Sequence, residues 1–409
     1  MPADDVIVGL DIGTTKIAAV VAEITEDERP KIVGLGIHPA DGLKKGMVTN
    51  LEQAVESVIR AVQDAELMAG VKVEKVFAGI SGSHIRGISS RGIISLAKSS
   101  KEIGQADVDK VIEAAKAVAL PLDREIIHAI PQEFSVDDQS GIKDPMGMSG
   151  TRLEADVYII TGSVTSAQNI HKSLQRAGLE VLDLVLQPLA SSYALLTPEE
   201  EESGVVLIEL GGGITDMALF YDGSLRYTAT IGLGGRNITN DIAIGLKTSV
   251  DKAEELKRNY GCALNGLVDS DETISVPRLG SREPKEISRA VLSAIIEPRV
   301  EEIFNLVLKE MRKSDHAELV TSGIVLTGGG ALLEGTQELA EQVFDLPVRV
   351  GSPDGVIGIE DVVSNPMHAT GVGLILYGLS HPQGRRNEKN RGKFRKVYRK
   401  IKNLFGEYS

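Results

Sequence analysis

The 409 residues exceed what one hydrophobic core usually serves, so the sequence predicts two or more domains. Hydrophobic residues make up 42% and charged residues 25% of the chain, which are ordinary values for a globular protein, and the net charge is −14. The chain has one cysteine, Cys262, which excludes a disulfide framework. It shows neither a signal-peptide pattern nor an apolar run of about 18 residues. We therefore expect a cytoplasmic protein unless a further segment tethers it to a membrane.

Charge is unevenly distributed along the chain. Residues 381–409 hold ten Lys and Arg residues against two Glu, a net charge of +8 that leaves −22 on the remaining residues. A strongly acidic body argues against a nucleic-acid-binding surface there, and the basic tail requires an explanation of its own.

The first element in chain order is a pair of apolar, strand-like runs at residues 6–10 and 17–21, with Asp11 at the end of the first run. The small-residue turn between them consists of Gly13, Thr14, Thr15 and Lys16. Small residues at a strand end allow backbone N–H groups to approach a phosphate closely. The pattern therefore predicts a hairpin whose turn faces an anion.

An α/β layer follows this hairpin. Strand-like runs at residues 31–37 and 76–80 flank a helical period at residues 51–68. Residues 84–160 change character, with short extended runs and one helix, and they predict a small inserted domain. A helix and a strand within residues 165–186 then return to the first domain.

A second hairpin of the same kind occurs half a chain later, enclosed by strand-like runs at residues 205–210 and 217–221. Its turn contains Gly211, Gly212 and Gly213. Glu209 and Asp216 lie at its ends, and Glu209 corresponds to Asp11 at an offset of 198 residues. A Gly-rich hairpin alone is often only a hairpin, but its repetition is more informative than either copy. Neither turn is a P-loop, because the chain has no G-x-x-x-x-G-K-[ST] motif.

The second half contains a third turn. A charged helix at residues 250–260 and a long helix at residues 287–311 precede it. Residues 327–330 then predict a glycine turn that opens a helix at Ala331. The free N–H groups of such a helix can approach a sugar or a phosphate.

The combination of D-x-G-T-T, L-G-G-G-x-T-D and T-G-G-G turns resembles the actin/Hsp70/sugar-kinase superfamily. Within it, the chain resembles the FtsA family of bacterial cell-division proteins over residues 6–380 and again at its end. The segments that carry this resemblance are residues 46–48, 80–85, 128–134, 189–193, 261–263, 296–299 and 324–329. The resemblance implies an α/β fold class: an actin-like ATPase fold of two related α/β halves around a nucleotide cleft, with an inserted small α+β subdomain in the first half.

The same resemblance implies a division of the chain into subdomains. The first-half core comprises residues 1–83, 162–200 and 365–380, and the inserted subdomain comprises residues 84–161. The second-half core comprises residues 201–230 and 313–364, and an outer small subdomain comprises residues 231–312. A flexible linker at residues 381–392 and an amphipathic membrane-targeting helix at residues 393–409 complete the chain.

By this resemblance the cleft binds ATP and Mg²⁺. The first phosphate loop comprises Gly13, Thr14, Thr15 and Lys16, where Lys16 supplies a cation for the β- and γ-phosphates. The second comprises Gly211, Gly212, Gly213 and Thr215, and the residues that face the adenosine are Gly328, Gly329 and Gly330. Glu254 and Lys257 lie on one helix face and either contact the ribose or base or form an ordinary solvated pair.

The resemblance also implies catalytic and metal-binding roles. Asp11, Glu209 and Asp216 are expected to hold Mg²⁺ through its waters. Gln187 falls where related proteins place a water-orienting Gln or Glu, so the candidate catalytic residues are Gln187, Asp11 and Glu209. Glu209 stands where the superfamily usually has Asp, and its extra methylene displaces the carboxylate by roughly the length of a C–C bond. Because catalytic geometry tolerates little such error, we expect ATP binding with at most slow hydrolysis, and enzymatic activity stays an open question.

The basic tail has the pattern of an amphipathic helix. Its apolar stripe consists of Phe394, Val397, Ile401, Leu404, Phe405 and Tyr408, and basic residues, among them Lys396, Arg399 and Lys400, occupy the other faces. This pattern favours an in-plane membrane anchor on anionic lipid. A helix that docks on a partner or on the body is an alternative. Nucleic-acid binding is less favoured, because the aromatic residues do not interleave with the basic ones.

The FtsA resemblance implies an actin-like protein that polymerises, tethers FtsZ filaments to the inner face of the cytoplasmic membrane and recruits later division proteins to the septum. The implied location is therefore peripheral, on the cytoplasmic side of the cell inner membrane. The implied partners are the FtsZ C-terminal tail, further copies of the chain, anionic lipid and later division proteins through the inserted subdomain, with no nucleic acid. Lys285, Arg289 and Arg299 are candidates for the FtsZ contact, or ordinary surface cations.

Three rival functions exist on the same fold. A sugar kinase needs a separate catalytic Asp near the phosphate loops, and the sequence offers none. An Hsp70-type chaperone needs a substrate-binding domain after the ATPase core, where only about 30 residues follow. A pilus-assembly actin-like protein lacks this basic terminal helix.

Overall fold

The computed structural model describes residues 6–27, 29–96, 102–269, 271–277, 283–359 and 363–381. The predicted tail helix, and the predicted linker beyond residue 381, lie outside these ranges. So do all the membrane-binding candidates, Phe394, Lys396, Val397, Arg399, Lys400, Ile401, Leu404 and Phe405. Among the helices that are described, none is both long enough and apolar enough to cross a bilayer.

Helices and strands alternate along the described chain, as expected for an α/β protein. The helices are α1 (Leu51–Ala69), α2 (Gln105–Lys116), α3 (Val164–Arg176), α4 (Gln187–Leu195), α5 (Pro198–Ser203), α6 (Gly235–Leu246), α7 (Val250–Tyr260), α8 (Arg289–Met311), α9 (Thr336–Phe344) and α10 (Ala369–Ser380). The strands are β1 (Val6–Ile12), β2 (Lys16–Ile24), β3 (Pro30–Pro39), β4 (Leu43–Lys44), β5 (Met47–Val48), β6 (Lys75–Ile80), β7 (Arg86–Ser95), β8 (Arg124–Val136), β9 (Gln139–Ile142), β10 (Arg152–Ser163), β11 (Glu180–Leu186), β12 (Val205–Leu210), β13 (Thr215–Tyr221), β14 (Ser224–Ile231), β15 (Thr273–Val276), β16 (Lys285–Ser288), β17 (Ile324–Thr327), β18 (Val348–Val350) and β19 (Ile357–Gly358).

The first half is built on a six-stranded sheet with the order β11-β6-β1-β2-β3-β19. β1, β2 and β3 form an antiparallel meander, and β6 and β11 extend it in parallel. α1 packs on one face of the sheet, while α4 and α10 pack together on the other. The helix α1 approaches β3 closely because Gly36 has no side chain: a Cβ there would lie 1.9 Å from the carbonyl oxygen of Ala61.

The second half repeats this core arrangement. Its five-stranded sheet has the order β14-β13-β12-β17-β18, in which β12, β13 and β14 form an antiparallel meander and β17 runs parallel to β12. Glu209 pairs with Asp216 in this hairpin just as Asp11 pairs with Ala18 in the first. The sequence repeat therefore corresponds to two hairpins of the same register. Helices α6, α7 and α8, with the hairpin β15–β16, form the outer part of this half.

A separate four-stranded antiparallel sheet, with the order β7-β10-β8-β9, packs against α2 around its own core. This inserted unit is hydrogen-bonded to both halves. In the first half, His128 Nε2 accepts the amide of Leu186 at 3.0 Å. In the second half, the hydroxyl of Tyr158 accepts the amide of Thr228 at 3.0 Å. These two bonds connect the insert to β11 and to β14.

Two helix starts differ from the sequence prediction. The expected helix at Ala331 is wrong: Gly329–Leu332 is a single 3-10 turn, and α9 begins only at Thr336. The reason is local, since Leu333 is extended and Gly335 has a left-handed φ of 75°, neither of which continues a helix. The long helix starts two residues late, because β16 runs to Ser288, whose hydroxyl accepts the amide of Ala290 and caps α8.

We expect His128 to make the fold sensitive to acid. Burial, with the nearby His381, lowers the pKa of His128 from 6.5 to about 4. Between pH 6.5 and about 4, the imidazole of His128 is protonated in the unfolded chain but stays neutral in the folded chain. The stability that neutral His128 contributes is therefore complete above pH 6.5 and is lost as the pH falls towards 4. The contribution is about 3 kcal/mol at most. Urea denaturation across this pH range measures it.

The variant His128→Gln keeps an acceptor for the Leu186 amide but does not titrate. We expect its free energy of unfolding to fall less steeply between pH 6.5 and 4 than that of the unaltered protein. The exposed His171 provides the matched control, and His171→Gln should leave the slope unchanged. An unaltered slope in His128→Gln would contradict the assignment.

Candidate nucleotide-binding cleft

The turns of the two repeated hairpins lie directly against each other. A Cβ built on Gly212 would lie 2.3 Å from Thr15 Cγ2, and one on Gly213 would lie 2.4 Å from Thr14 Cγ2. These distances are far shorter than van der Waals contact, so side chains on the second turn are excluded by the threonines of the first. The structure thus brings together the two turns that the sequence predicts as opposed phosphate loops.

Backbone amides of both turns are free to bind an anion. Among the described residues, none accepts a hydrogen bond from the N–H groups of Thr14, Thr15, Gly212 or Gly213. Two carbonyl groups of the second turn are occupied, because Gly211 accepts the amide of Gly235 at 2.9 Å and Gly212 accepts that of Arg236 at 2.7 Å. Two opposed turns that present four amide donors with no acceptor among the described residues match the oxygens of a polyphosphate.

Glu209 lies where the second half meets two helices of the first. Its Oε1 accepts the hydroxyl of Thr370 on α10 at 2.8 Å, and its Oε2 accepts that of Ser191 on α4 at 3.2 Å. Burial, together with the nearby carboxylates of Asp11 and Asp216, raises the pKa of Glu209 to about 8. A side chain with this pKa is mostly protonated at neutral pH, and it joins the two halves of the molecule.

Asp216 makes a second connection between the halves. Its Oδ1 accepts the hydroxyl of Ser81, which follows β6 in the first half, at 2.6 Å, and that of Thr230 at 2.6 Å. Burial raises the pKa of Asp216 to about 6, and the two hydroxyl groups oppose that rise. Hydroxyl donors thus satisfy both acidic residues of the second hairpin.

Asp11 organises the first-half side of the cleft. Its Oδ2 binds the ammonium of Lys16 at 3.2 Å, and its Oδ1 accepts the side-chain amide of Gln187 at 3.1 Å. Lys16 also donates to the carbonyl of Met367 at 2.7 Å. Burial, with the neighbouring Lys16, lowers the pKa of His368 to about 4. The candidate catalytic residues Gln187 and Asp11 are therefore in direct contact.

The predicted sugar or base contacts lie on α7, beside the start of α6. Lys257 binds Glu254 at 2.6 Å and also donates to the carbonyl of Gly235 at 3.2 Å. Burial opposes ionisation of Glu254, but hydrogen bonds from Lys257 and Thr239 outweigh it and lower the pKa of Glu254 to about 2. This pair is partly buried next to the second turn, not a solvated pair on an outer helix face.

Of the three glycines predicted to face the adenosine, only one borders open space. Gly328 has a left-handed φ of 83°, and a Cβ on Gly330 would lie 2.3 Å from Leu210 Cγ, so both pack against β12. A Cβ on Gly329 would meet nothing within 4 Å, so Gly329 borders open space. Thr215, by contrast, is fully buried and its hydroxyl donates to the carbonyl of Leu233 at 2.9 Å. Its side chain is committed to the fold.

The three carboxylates predicted to serve Mg²⁺ do not form a direct metal cluster. Within the described part of the chain, no group of three or more His, Cys, Asp or Glu side chains is placed to ligate one ion. Each of Asp11, Glu209 and Asp216 is already bonded to protein donors. The arrangement fits an ion that keeps its water shell and enters with phosphate, as Mg²⁺ commonly does.

The predicted FtsZ contacts lie in the outer part of the second half, on β16 and α8. Lys285 is exposed on β16. Arg289 is bonded to Glu272 and Glu334, and Arg299 to Asp241 and Glu302. Two of the three cations are therefore already neutralised within the protein.

Sequence reasoning missed the hydroxyl donors that cross between the halves: Ser81, Ser191 and Thr370. A Ser or Thr in a helix or after a strand is too common to indicate a role. Only Ser81 had a signal, since a Ser-Gly pair directly follows a buried strand of the first half.

Two protein-family models match the chain. The model described as "Cell division protein FtsA" matches residues 206–373, which span the second hairpin and the third turn. The model described as "SHS2 domain inserted in FTSA" matches residues 82–161, which include the inserted four-stranded sheet.

Curated relatives extend over most of the chain. "Cell division protein FtsA" of Pseudomonas aeruginosa is 48% identical over 373 residues, which cover 91% of this chain and 89% of the relative. The protein of the same name from Escherichia coli K12 is 41% identical over 386 residues, covering 92% and 91%. That of Bacillus subtilis is 39% identical over 388 residues, covering 94% and 87%.

Solved structures show the fold at much lower identity. The PilM–PilN type IV pilus biogenesis complex matches with a TM-score of 0.65 and 17% identity, over 91% of this chain and 98% of that chain. MreB5 of Spiroplasma citri bound to AMPPNP matches with a TM-score of 0.56 and 15% identity, over 95% and 99%. These neighbours confirm the predicted actin-like α/β fold.

We expect Gly212→Ala to destabilise the contact between the two turns. Gly212 is not in a left-handed conformation, so the added methyl group acts only through its clash with Thr15. Overpacking of this kind costs about 1–3 kcal/mol of unfolding free energy, which urea denaturation measures.

Gly266→Ala is the matched control, because a Cβ there meets nothing within 4 Å. Combining Gly212→Ala with Thr15→Gly removes the clash, and the two changes should then be less destabilising together than their separate effects predict. Strict additivity would show that the turns do not touch in solution.

Proposed function

The chain belongs to the FtsA family of bacterial cell-division proteins, and on that premise we propose that it is an ATP-binding, filament-forming adaptor that tethers FtsZ filaments to the inner face of the cytoplasmic membrane. Family membership decides against the rival kinase, chaperone and pilus-assembly functions. The observation that carries the nucleotide part is the pair of opposed turns whose amides from Thr14, Thr15, Gly212 and Gly213 have no acceptor among the described residues. The MreB5 neighbours, whose structures hold ADP and AMPPNP, support a nucleotide in the same cleft.

In this proposal the two turns bind the phosphates of ATP. Lys16 supplies positive charge on the first-half side, and Gly329 borders the space for the adenosine, next to the Glu254–Lys257 pair. Mg²⁺ supplies charge neutralisation to the phosphates, and Asp11, Glu209 and Asp216 hold its waters. Because the amides come from both halves, a bound phosphate chain stabilises one relative position of the halves.

Slow hydrolysis is the proposed consequence of the Glu209 environment. Glu209 is bonded by Thr370 and Ser191, and its pKa is raised to about 8. Both carboxyl oxygens of Glu209 are engaged by hydroxyl groups of the first half, so they are poorly placed to accept the proton of an attacking water. Gln187, the candidate to orient that water, is held by Asp11 and by the carbonyl of Ile12 at 3.2 Å. ATP then acts mainly as a ligand that sets the shape of the protein.

Membrane attachment is assigned to the segment that follows α10. This helix ends at Ser380 in the first half, and the basic amphipathic stretch begins at residue 393. Recruitment of later division proteins at the septum is assigned to the inserted subdomain, which is bonded to both halves and so senses their relative position.

Liposome flotation tests the anchor. We expect the full chain to float with vesicles that contain anionic lipid and a chain ended at Pro382 to remain in the load fraction, because the deleted segment carries both the basic residues and the apolar stripe. Binding should fall as salt is raised. Pairing Phe394→Ser with Ile401→Ser keeps the charge and should also abolish flotation. Equal flotation of full and shortened chains would reject the anchor.

The proposed FtsZ-binding surface surrounds Lys285, at the exposed end of the β15–β16 hairpin. Lys285 forms no ion pair with a described residue, so its charge is available to a partner. Arg289 and Arg299 already form ion pairs within the protein, with Glu272 and Asp241. Binding through these arginines requires an acidic partner to share or displace those carboxylates.

A polarisation assay with a labelled FtsZ tail peptide tests this surface. We expect Lys285→Glu and Arg299→Glu each to weaken binding by about tenfold, as loss of a charge contact with an added repulsion does. Arg299→Glu also breaks the pairs with Asp241 and Glu302, so its thermal midpoint must be measured alongside. The exposed Arg312→Glu, at the far end of α8, should leave affinity unchanged. Unchanged affinity in both test variants would discard the assignment.

A further inference from the structure

The short hairpin β4–β5 places a lysine where its backbone is least suited to one. Its two-residue loop consists of Lys45 and Gly46, and both have positive φ, 50° and 76°. Loops of this type normally use Asn, Asp or Gly at both positions, because a longer side chain is strained in the left-handed region. Turn chemistry therefore does not explain Lys45, and such strain commonly marks a functional position.

The tip of this hairpin is fixed against the cleft. The amide of Gly46 donates to Thr14 Oγ1 at 3.1 Å, which ties the tip to the first phosphate turn. A Cβ on Gly46 would lie 2.5 Å from the carbonyl oxygen of Ser81, whose hydroxyl in turn binds Asp216. The backbone of Lys45 is thus held by contacts with two elements of the site.

The side chain of Lys45 crosses from the first half to the second. A Cβ on Gly232 would lie 3.4 Å from Lys45 Nζ. Gly232 begins the turn that leads into α6, whose first amides bind the carbonyls of Gly211 and Gly212. Among the described residues, nothing forms an ion pair or hydrogen bond with this ammonium group.

Lys45 differs in this respect from Lys16. The ammonium of Lys16 is committed to Asp11 and to the carbonyl of Met367. That of Lys45 forms no hydrogen bond or ion pair with a described residue and lies beside Gly232, on a hairpin whose tip is bonded to the first turn. A free cation at this place is suited to the additional negative charge that distinguishes a nucleoside triphosphate from a diphosphate.

We propose that Lys45 is a specificity-determining residue of the cleft, whose ammonium group binds the terminal phosphate of a nucleoside triphosphate and thereby favours it over the diphosphate. This inference rests on the proposed nucleotide function. Because Lys45 belongs to the first half and its ammonium lies against the second, triphosphate binding also stabilises one relative position of the halves. The diphosphate lacks that contact and leaves Lys45 beside Gly232.

Equilibrium titration with fluorescently labelled ATP and ADP, in the presence of Mg²⁺, tests the proposal on the full chain. The variant Lys45→Asn removes the charge and introduces a residue favoured in the left-handed region, so it should fold at least as well as the parent. We expect it to bind ATP about tenfold more weakly and ADP within about twofold of the parent, as loss of one charge-assisted contact predicts. The loss should shrink as salt is raised.

Lys44→Asn is the matched control, because Lys44 is an exposed neighbour on the same hairpin and the charge change is the same. It should retain the parental ratio of ATP to ADP affinity. An unchanged ratio in Lys45→Asn, or equal weakening of both nucleotides, would overturn the role of Lys45 and leave the nucleotide function standing. Failure of the unaltered protein to bind either nucleotide would instead contradict the proposed function.

Discussion

The cleft depends on acidic side chains that are buried where the two halves meet. Glu209 and Asp216 belong to the second half, but hydroxyl groups of Ser191, Thr370 and Ser81 in the first half satisfy them. Burying a carboxylate without hydrogen-bond donors is strongly unfavourable. The two halves must therefore keep a relative position in which these hydroxyl groups can bind Glu209 and Asp216. Burial raises the pKa of both residues, the neighbouring carboxylates raise that of Glu209 further, and the hydroxyl donors oppose these shifts. A small rotation of one half against the other therefore breaks specific hydrogen bonds, which would not be the case if the halves met through an apolar surface.

The two repeated hairpin turns can pack closely because their residues differ. The first turn carries the β-branched Thr14 and Thr15, and the second carries Gly212 and Gly213 at the corresponding positions. The threonines occupy the space that side chains on the second turn would need. Two identical copies would clash if both had side chains and leave a gap if both had glycines. The asymmetry lets the turns approach while their amides remain available.

The outer parts of the molecule are connected to this centre by a few polar bonds. His128 joins the inserted sheet to β11 of the first half, and Tyr158 and Gln132 join it to β14 of the second. A change in the angle between the halves must alter at least one of these bonds. The insert is thus positioned by contacts with both halves. The tail, which follows α10, leaves from the half that carries Thr370 and so from the helix that contacts Glu209.

The local sequence is enough to predict many of the secondary-structure elements of this protein. The hairpins, their repetition at 198 residues, α1, α7 and the inserted unit follow from local patterns of apolar and small residues, and those patterns act within a few residues of each other. The expected helix at Ala331 failed because a left-handed Gly335 interrupts it, which the glycine-rich sequence does not reveal. Tertiary structure alone decided that Thr215 is buried, that Arg289 and Arg299 are neutralised and that Ser191 and Thr370 bind Glu209. Ser191 and Thr370 lie 18 and 161 residues from Glu209 in the chain, and only the packing of the two halves brings them within hydrogen-bonding distance of it.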